Sequence, residues 1–383
     1  MKIAYVHDGP VPSQSANAVH VMKMCAALAS KGAEVTLFCP DAEIDGNPFD
    51  IYGVEKCFKI CHVAPQGMLK RIPKVRSFSM AHNMALEVKR QVFDYVFGRS
   101  TLAIYLLRNY RPFIYESHTL PANRFRLYAE KRIMKSKCFI CHVIITDGLK
   151  QDYLNIYSFA DASKISVLQD AADCAKHVAQ DFLPKDKSKE LKIEKRPVIG
   201  YLGHLLPGKC MEILSQVAKM RPQYDFHVVG GKQEWVDRWK ADERCKGLDN
   251  IKFYGYVDNK TIPYYYNLFE ICILPFSSQI VVGNFKNANI GRWTSPLKLF
   301  EAMSYGKPIL TTNLSTIQEV LTDGQDCLME SESNIEGWCN KLDMLVSDSE
   351  LRDKLGAAAK TLFENNYTWS IRAEKIIGIL TAK

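Results

Sequence analysis

Residues 293–310 read WTSPLKLFEAMSYGKPIL and carry the densest chemistry in the chain. Ser295 and Pro296 open a helix through Leu297, and the first-turn amides of such a helix lack partners within it, which makes a seat for phosphate. Lys298 and Glu301 stand three apart and share one helical face near that end. A cation beside a phosphate seat, followed by a carboxylate, suits a nucleoside diphosphate bearing a sugar. The positive groups meet the diphosphate, and Glu301 accepts from ribose hydroxyls. The plain alternative is an amphipathic helix with a solvated Lys–Glu pair. A second segment, YLGHLLPGKC at 201–210, follows a strand-like run. Gly203 permits a tight turn there, and His204 and Lys209 can both reach an anion. Its glycines do not spell G-x-G-x-x-G, and Cys210 stands where a Walker loop needs Ser or Thr.

These segments need scaffolds, and the pattern supplies two. Residues 2–6 form a short β-branched and aromatic run, followed by a turn-rich loop. Ala18, Val21, Met22, Cys25, Leu28 and Ala29 then recur at helical spacing, Gly32 ends the helix, and residues 34–39 make the next strand. Strand–helix–strand repetition predicts a parallel sheet covered on both faces. Further strands are expected at 95–99, 113–118, 139–146 and 165–168, then at 197–203, 225–230, 251–254, 271–275, 308–312 and 327–329. The expected organisation is α/β with two doubly wound Rossmann-like domains, at 1–180 and 197–365. A lysine-rich linker at 181–196 joins them, and a helix at 366–383 packs back toward the first domain.

Composition agrees. The 383 residues are 47% hydrophobic and 24% charged, which excludes a disordered or collagen-like chain. No run approaches the ~18 apolar residues that span a bilayer. MKIAYVHDG enters a strand directly without an export leader, so a cytoplasmic setting is expected. Twelve cysteines are too few for a disulfide scaffold of this length. A formal charge of +8 is modest, and no aromatic-interleaved basic platform suggests nucleic acid.

Taken in order, the segments resemble the retaining glycosyltransferases of the group-1 type (family 4), which have the GT-B fold of two facing Rossmann-like domains. The resemblance runs through HDGPVPSQSANAVHVMKMCAALASKG, YESHTLP at 115–121, YLGHLLPGK, FYGYV at 253–257, YYNLFEICILPF, SPLKLFEAMSYGKPIL and TIQEVLTDGQDCL at 316–328. It implies roles for matching positions. Glu301 matches the second glutamate of an E-x7-E motif and would hold the donor ribose. Lys209 would neutralise the diphosphate, with His204 at a position often held by arginine. Residues Ser295, Pro296, Leu297 and Lys298 match the phosphate-gripping loop and helix start. Tyr256 and Val257 fall where backbone groups receive the base. His118 matches a histidine beside the donor sugar, and Asn17 and Arg99 are looser donor-side matches. The resemblance thus makes His118, Lys209 and Glu301 the catalytic candidates, with a nucleotide-diphosphate sugar as donor substrate and no other cofactor.

One departure stands out. Trp293 occupies the position of the motif's first glutamate, and no Asp or Glu occurs from Ile271 to Phe300. The implied activity is transfer of a hexose-type sugar, with UDP or GDP as its carrier, to a saccharide or lipid-linked saccharide acceptor. A nucleotide-sugar 2-epimerase of the same fold and a non-catalytic nucleotide-sugar binder are the alternatives. Fixed cations replace a metal in this reading, because no convincing D-x-D clamp is present. Asp170 and Asp173 suit a turn or cap, and His20 and His142 suit helix-face and strand positions rather than ligands or bases. Cys57 and Cys61 before His62, and Cys138 and Cys141 before His142, do not read as a metal site, since Cys138 and Cys141 fall on opposite faces of a strand. The stretch MLKRIPKVRSF at 68–78 offers Lys70, Arg71, Lys74 and Arg76 to an anionic membrane surface, or is a solvated loop and helix edge.

Overall fold

The computed structural model describes residues 1–65, 73–175, 196–206, 211–279 and 291–382. The chain forms two units. Unit 1 comprises Met1–Asp170 and Trp369–Lys383, and unit 2 comprises Ala171–Thr368. The expected linker at 181–196 lies, apart from Arg196, outside the described residues, as do Lys209, Lys70 and Arg71.

Among the described residues, unit 1 has strands β1 (Lys2–Val6), β2 (Glu34–Pro40), β3 (Lys59–Val63), β4 (Tyr95–Gly98), β5 (Phe113–Ser117), β6 (Phe139–Ile144) and β7 (Ile165–Val167). They lie in the order β3-β2-β1-β4-β5-β6-β7, and the pairings are parallel. Helices cover the faces, so the central strands are buried along nearly their whole length and read as unbroken apolar runs. The helix Ala16–Ser30 starts where the Ser15 side chain accepts from the Ala18 amide, and it ends before Gly32 at φ 86°. The helix Trp369–Thr381, reached only after the chain has left unit 1 and returned, packs against it. That packing explains why His20 and Met24 are buried beside the expected apolar positions.

Three elements were not foreseen between residues 41 and 94: the short helix Pro48–Tyr52, strand β3 and the helix Pro73–Lys89. Strand β3 sits at the sheet edge, where Lys59 and His62 face outward and only Val63 is buried, so it never shows an apolar run. The helix Pro73–Lys89 takes in Lys74 and Arg76, with Pro73 at its first position, where a missing amide costs nothing.

Unit 2 holds β8 (Val198–Leu202), β9 (Asp225–Val229), β10 (Ile251–Gly255), β11 (Ile271–Leu274), β12 (Ile309–Thr312) and β13 (Leu328–Glu330), in the order β10-β9-β8-β11-β12-β13 and again parallel. Alternate residues feed two cores. Ile199, Tyr201, Phe226, Ile271 and Ile273 belong to one, and Val198, Leu202, Val229, Cys272 and Leu274 to the other. No helix among the described residues is long and apolar enough to cross a membrane.

Glycines shape two of the strand ends. A Cβ on Gly98 would meet the Val6 carbonyl oxygen at 2.2 Å, so only glycine lets β4 deliver Arg99 beside β1. Gly230, at φ +108°, passes the Gly203 carbonyl so closely that a Cβ would lie 2.3 Å from its oxygen. Gly230→Ala is therefore expected to cost about 1–3 kcal/mol in denaturant unfolding, from overpacking against a rigid backbone. An unchanged unfolding midpoint would contradict this packing.

Candidate active site

In unit 1 the strand order reverses between β1 and β4, the point where doubly wound sheets offer a crevice at their carboxyl ends. His7 follows β1, Arg99 follows β4 and His118 follows β5. The two-residue period of β5 sends Glu116 and His118 to one face and Tyr115 and Ser117 to the other.

Glu116 has no exposed surface. Its Oε1 accepts from His118 Nε2 at 2.7 Å, and its Oε2 lies 3.3 Å from Arg372 Nη2. His20 Nε2 lies 3.1 Å from Oε1 without the alignment of a hydrogen bond, while His20 Nδ1 pairs with Asp170 Oδ1 at 2.9 Å. Arg372 also donates to the carbonyls of Gln169 (3.1 Å) and Leu168 (3.3 Å). Burial works to raise the Glu116 carboxyl, but Arg372 and then His20 hold it well below the usual range. Asp170 is likewise lowered to about 2, against the pull of burial, by His118 and His20. His118 is lowered to about 4, first by burial and then by the Arg99 charge. At neutral pH His118 is therefore uncharged. Because its partner is a carboxylate, its proton sits on Nε2, and Nδ1 keeps a lone pair.

Arg99 donates from Nη2 to Asn17 Oδ1 at 3.1 Å, which joins the strand end to the first turn of the helix Ala16–Ser30. Its Nη1 is buried without a partner among the described residues, as are both ring nitrogens of His7. His7 is lowered to about 3 by burial and then by Arg99. The unit thus brings Asn17, Arg99 and His118 to one strand-end region, together with His7, His20, Glu116, Asp170 and Arg372, which sequence reasoning did not select. His20 lies on the helix Ala16–Ser30, as expected, and joins this buried polar cluster there. One reading needs correction: Asp170, read as a turn or cap, is the partner of His20. Period-two alternation in YESH would have tied Glu116 to His118. Nothing in sequence spacing links Glu116 to a partner 256 residues away.

His20, Glu116 and His118 place one donor atom each within 4.8 Å of one another, the spacing of a metal-binding set. The chemistry fits a cation poorly, because the guanidinium of Arg372 already matches the Glu116 charge and the Nε2 proton of His118 fills Oε1.

The opposite face of β5 makes a separate polar core. Glu130 accepts from the hydroxyls of Tyr115 (2.8 Å), Tyr157 (2.9 Å) and Tyr153 (3.3 Å), and burial raises its carboxyl to about 7. Ser117 Oγ pairs with His142 Nε2 at 2.7 Å, so His142 is a strand residue within this network, as expected.

In unit 2, Gly203 and His204 follow β8, with Tyr201 donating its hydroxyl to the His204 carbonyl at 2.8 Å. The imidazole of His204 is exposed. Tyr256 is 63% exposed just past β10, whereas Val257 packs on the core. The expected helix runs Leu297–Ser304, with Pro296 as its N-cap and no side-chain cap, and Ser295 is buried before it. Lys298 Nζ bonds both Glu301 oxygens, at 3.0 and 2.8 Å. The Tyr266 hydroxyl reaches Glu301 Oε2 at 3.4 Å, and its ring stacks on Tyr305 with centroids 4.5 Å apart. Trp293 ends a short 3-10 turn and is buried, so it supplies bulk and not a carboxylate.

The two parallel α/β units have the GT-B fold. Residues 184–362 match the family of glycosyl transferases group 1. The chain is similar to a glycosyltransferase structure from Rickettsia africae, with TM-score 0.75 and 19% identity over 99% of this chain and 97% of that one. It is also similar to Anabaena HepE in complex with UDP and glucose, with TM-score 0.72 and 14% identity over 100% of both chains. Among curated relatives, spore coat protein SA of Bacillus subtilis is 25% identical over 50% of each chain. The chain thus spans about half the length, or less, of curated relatives of this kind.

The neutral state of His7 has a measurable consequence. Its folded value lies below the unfolded one of about 6.5, so between the two the unfolded chain binds the extra proton. The stability this neutral imidazole permits is full at pH 7 and is lost as pH falls through 6.5 toward 3. Wild type should lose about 2 kcal/mol relative to His7→Leu between pH 7 and pH 5, read by denaturant unfolding at both values. A constant difference would show that His7 protonates freely in the folded state.

Proposed function

We propose that the protein transfers a hexose-type sugar from a nucleotide-diphosphate sugar to a saccharide or lipid-linked saccharide acceptor in cell-surface polysaccharide or glycolipid synthesis. Transfer proceeds with retention of configuration and without a metal. The observation that carries this reading is the start of the helix Leu297–Ser304, whose N-cap Pro296 has no side-chain cap hydrogen bond and where Lys298 and Glu301 share one turn. A helix start attracts the diphosphate, and a carboxylate one turn on accepts from ribose hydroxyls.

In this reading, charge develops on the departing diphosphate, and fixed positive groups must meet it. Lys209, Lys298, the dipole of that helix and His204 supply them. The backbone near Tyr256 and Val257 receives the base, and Gly203 admits the phosphates closely. On the side of unit 1, neutral His118 accepts a hydrogen bond from a sugar hydroxyl through Nδ1, with Arg99 and Asn17 near the donor. The family match and the resemblance to a UDP-complexed structure support this reading. An anionic membrane surface near Lys70, Arg71, Lys74 and the exposed Arg76 would bring the acceptor within reach.

A thermal-shift panel of UDP-, GDP-, ADP- and CMP-sugars on wild type and Glu301→Ala tests the donor site. A ligand at about 100 times its dissociation constant adds about 2.7 kcal/mol to stability. One nucleotide class should stabilise wild type and leave Glu301→Ala unshifted. Equal shifts in both proteins, or none in either, would remove Glu301 from the donor site.

A further inference from the structure

We propose that Arg372 and Glu116 are a positioning pair that fixes the tautomer of His118, so that its Nδ1 lone pair, and never an N–H, faces the strand-end crevice of unit 1. The inference deepens the proposed function, since it rests on His118 meeting a sugar hydroxyl.

Arg372 has only N–H donors, and two of its nitrogens, Nη1 and Nη2, lie 3.3 Å from Glu116 Oε2. The rest of the guanidinium is fixed by the carbonyls of Leu168 and Gln169 and by Met24 Sδ at 3.3 Å, so it has no freedom to turn away. It is 3% exposed and Glu116 is fully buried, so water does not substitute for either partner. Oε1 is then left for His118 Nε2 at 2.7 Å, and a carboxylate oxygen can only accept. The Nε2 proton is thereby specified, and no hydrogen bond among the described residues engages His118 Nδ1. His20 completes the logic. It pairs through Nδ1 with Asp170 Oδ1 at 2.9 Å and sets Nε2 3.1 Å from the same Glu116 Oε1.

Glu116→Gln gives a sharp test, because an amide has one accepting and one donating end. Donor-only Arg372 takes the Gln oxygen. The Gln NH2 is then turned toward His118 Nε2 and His20 Nε2, and His118 must accept there. Its proton moves to Nδ1. Replacing Arg372 as well frees the amide to rotate and return its oxygen to His118.

The experiment is nitrogen-15 NMR of histidine-labelled full-length protein, with His118→Gln used for assignment. Wild type should show Nε2 as the protonated, pyrrole-type nitrogen of His118 and Nδ1 as pyridine-type across neutral pH. Glu116→Gln should exchange the two signals, and Glu116→Gln/Arg372→Met should restore the wild-type pattern. Purely structural damage would broaden or shift many histidines and would not be reversed by a second substitution. A wild type protonated at Nδ1 overturns the proposal even if no variant folds. Retention of Nε2–H in Glu116→Gln also overturns it, as does failure of the double variant to revert. If the signals exchange as stated while sugar transfer is unchanged, the positioning pair stands, and it is the role given to His118 in the proposed function that fails.

Discussion

A fully buried carboxylate is costly unless its charge and lone pairs are all met, and unit 1 is organised around one. Glu116 obtains a counter-charge from Arg372, a hydrogen bond from His118 and the close approach of His20. Meeting that demand dictates more than local geometry. Arg372 lies on the helix Trp369–Thr381, so the last segment of the chain must return to unit 1 before the cluster is complete. The same guanidinium holds the carbonyls of Leu168 and Gln169, immediately before the chain leaves for unit 2 at Ala171. Departure and return of the chain are therefore tied to the residue that underlies His118.

The charge logic differs between the units. At the strand ends of unit 1, burial together with the Arg99 charge keeps His7 and His118 neutral, while Glu116 and Asp170 stay ionised beneath them. Neutral imidazoles discriminate hydroxyls by donor and acceptor position, which suits the polyhydroxyl part of a nucleotide sugar. In unit 2 the groups near the helix Leu297–Ser304 are a lysine and a carboxylate in direct contact, 25–31% exposed. A charged pair of this kind suits recognition of a diphosphate and a ribose. The division of labour in the proposed function follows from these two environments.

Much of the architecture was legible because parallel strands buried on both faces leave unbroken apolar runs, as in β1, β2, β5, β8 and β11. Edge strand β3 was not legible, since Lys59 and His62 face outward and only Val63 is buried. At the candidate sites, the Lys298–Glu301 contact followed directly from helical spacing. The Glu116 cluster did not, because its members come from residues 20, 116, 118, 170 and 372, and a buried Arg or His looks in sequence like any surface one. Asp170 resembled a turn former for the same reason.

The central claim is that this chain cleaves the bond between a sugar and a nucleoside diphosphate. Release of nucleoside diphosphate from the preferred nucleotide sugar, followed in excess EDTA with a saccharide acceptor, tests it most directly. The account predicts release that persists in EDTA, accompanies sugar transfer and falls at least tenfold in Glu301→Ala. Tight nucleotide binding with no release from any nucleotide sugar, with or without divalent metal, would contradict it and leave a binding protein on a glycosyltransferase fold.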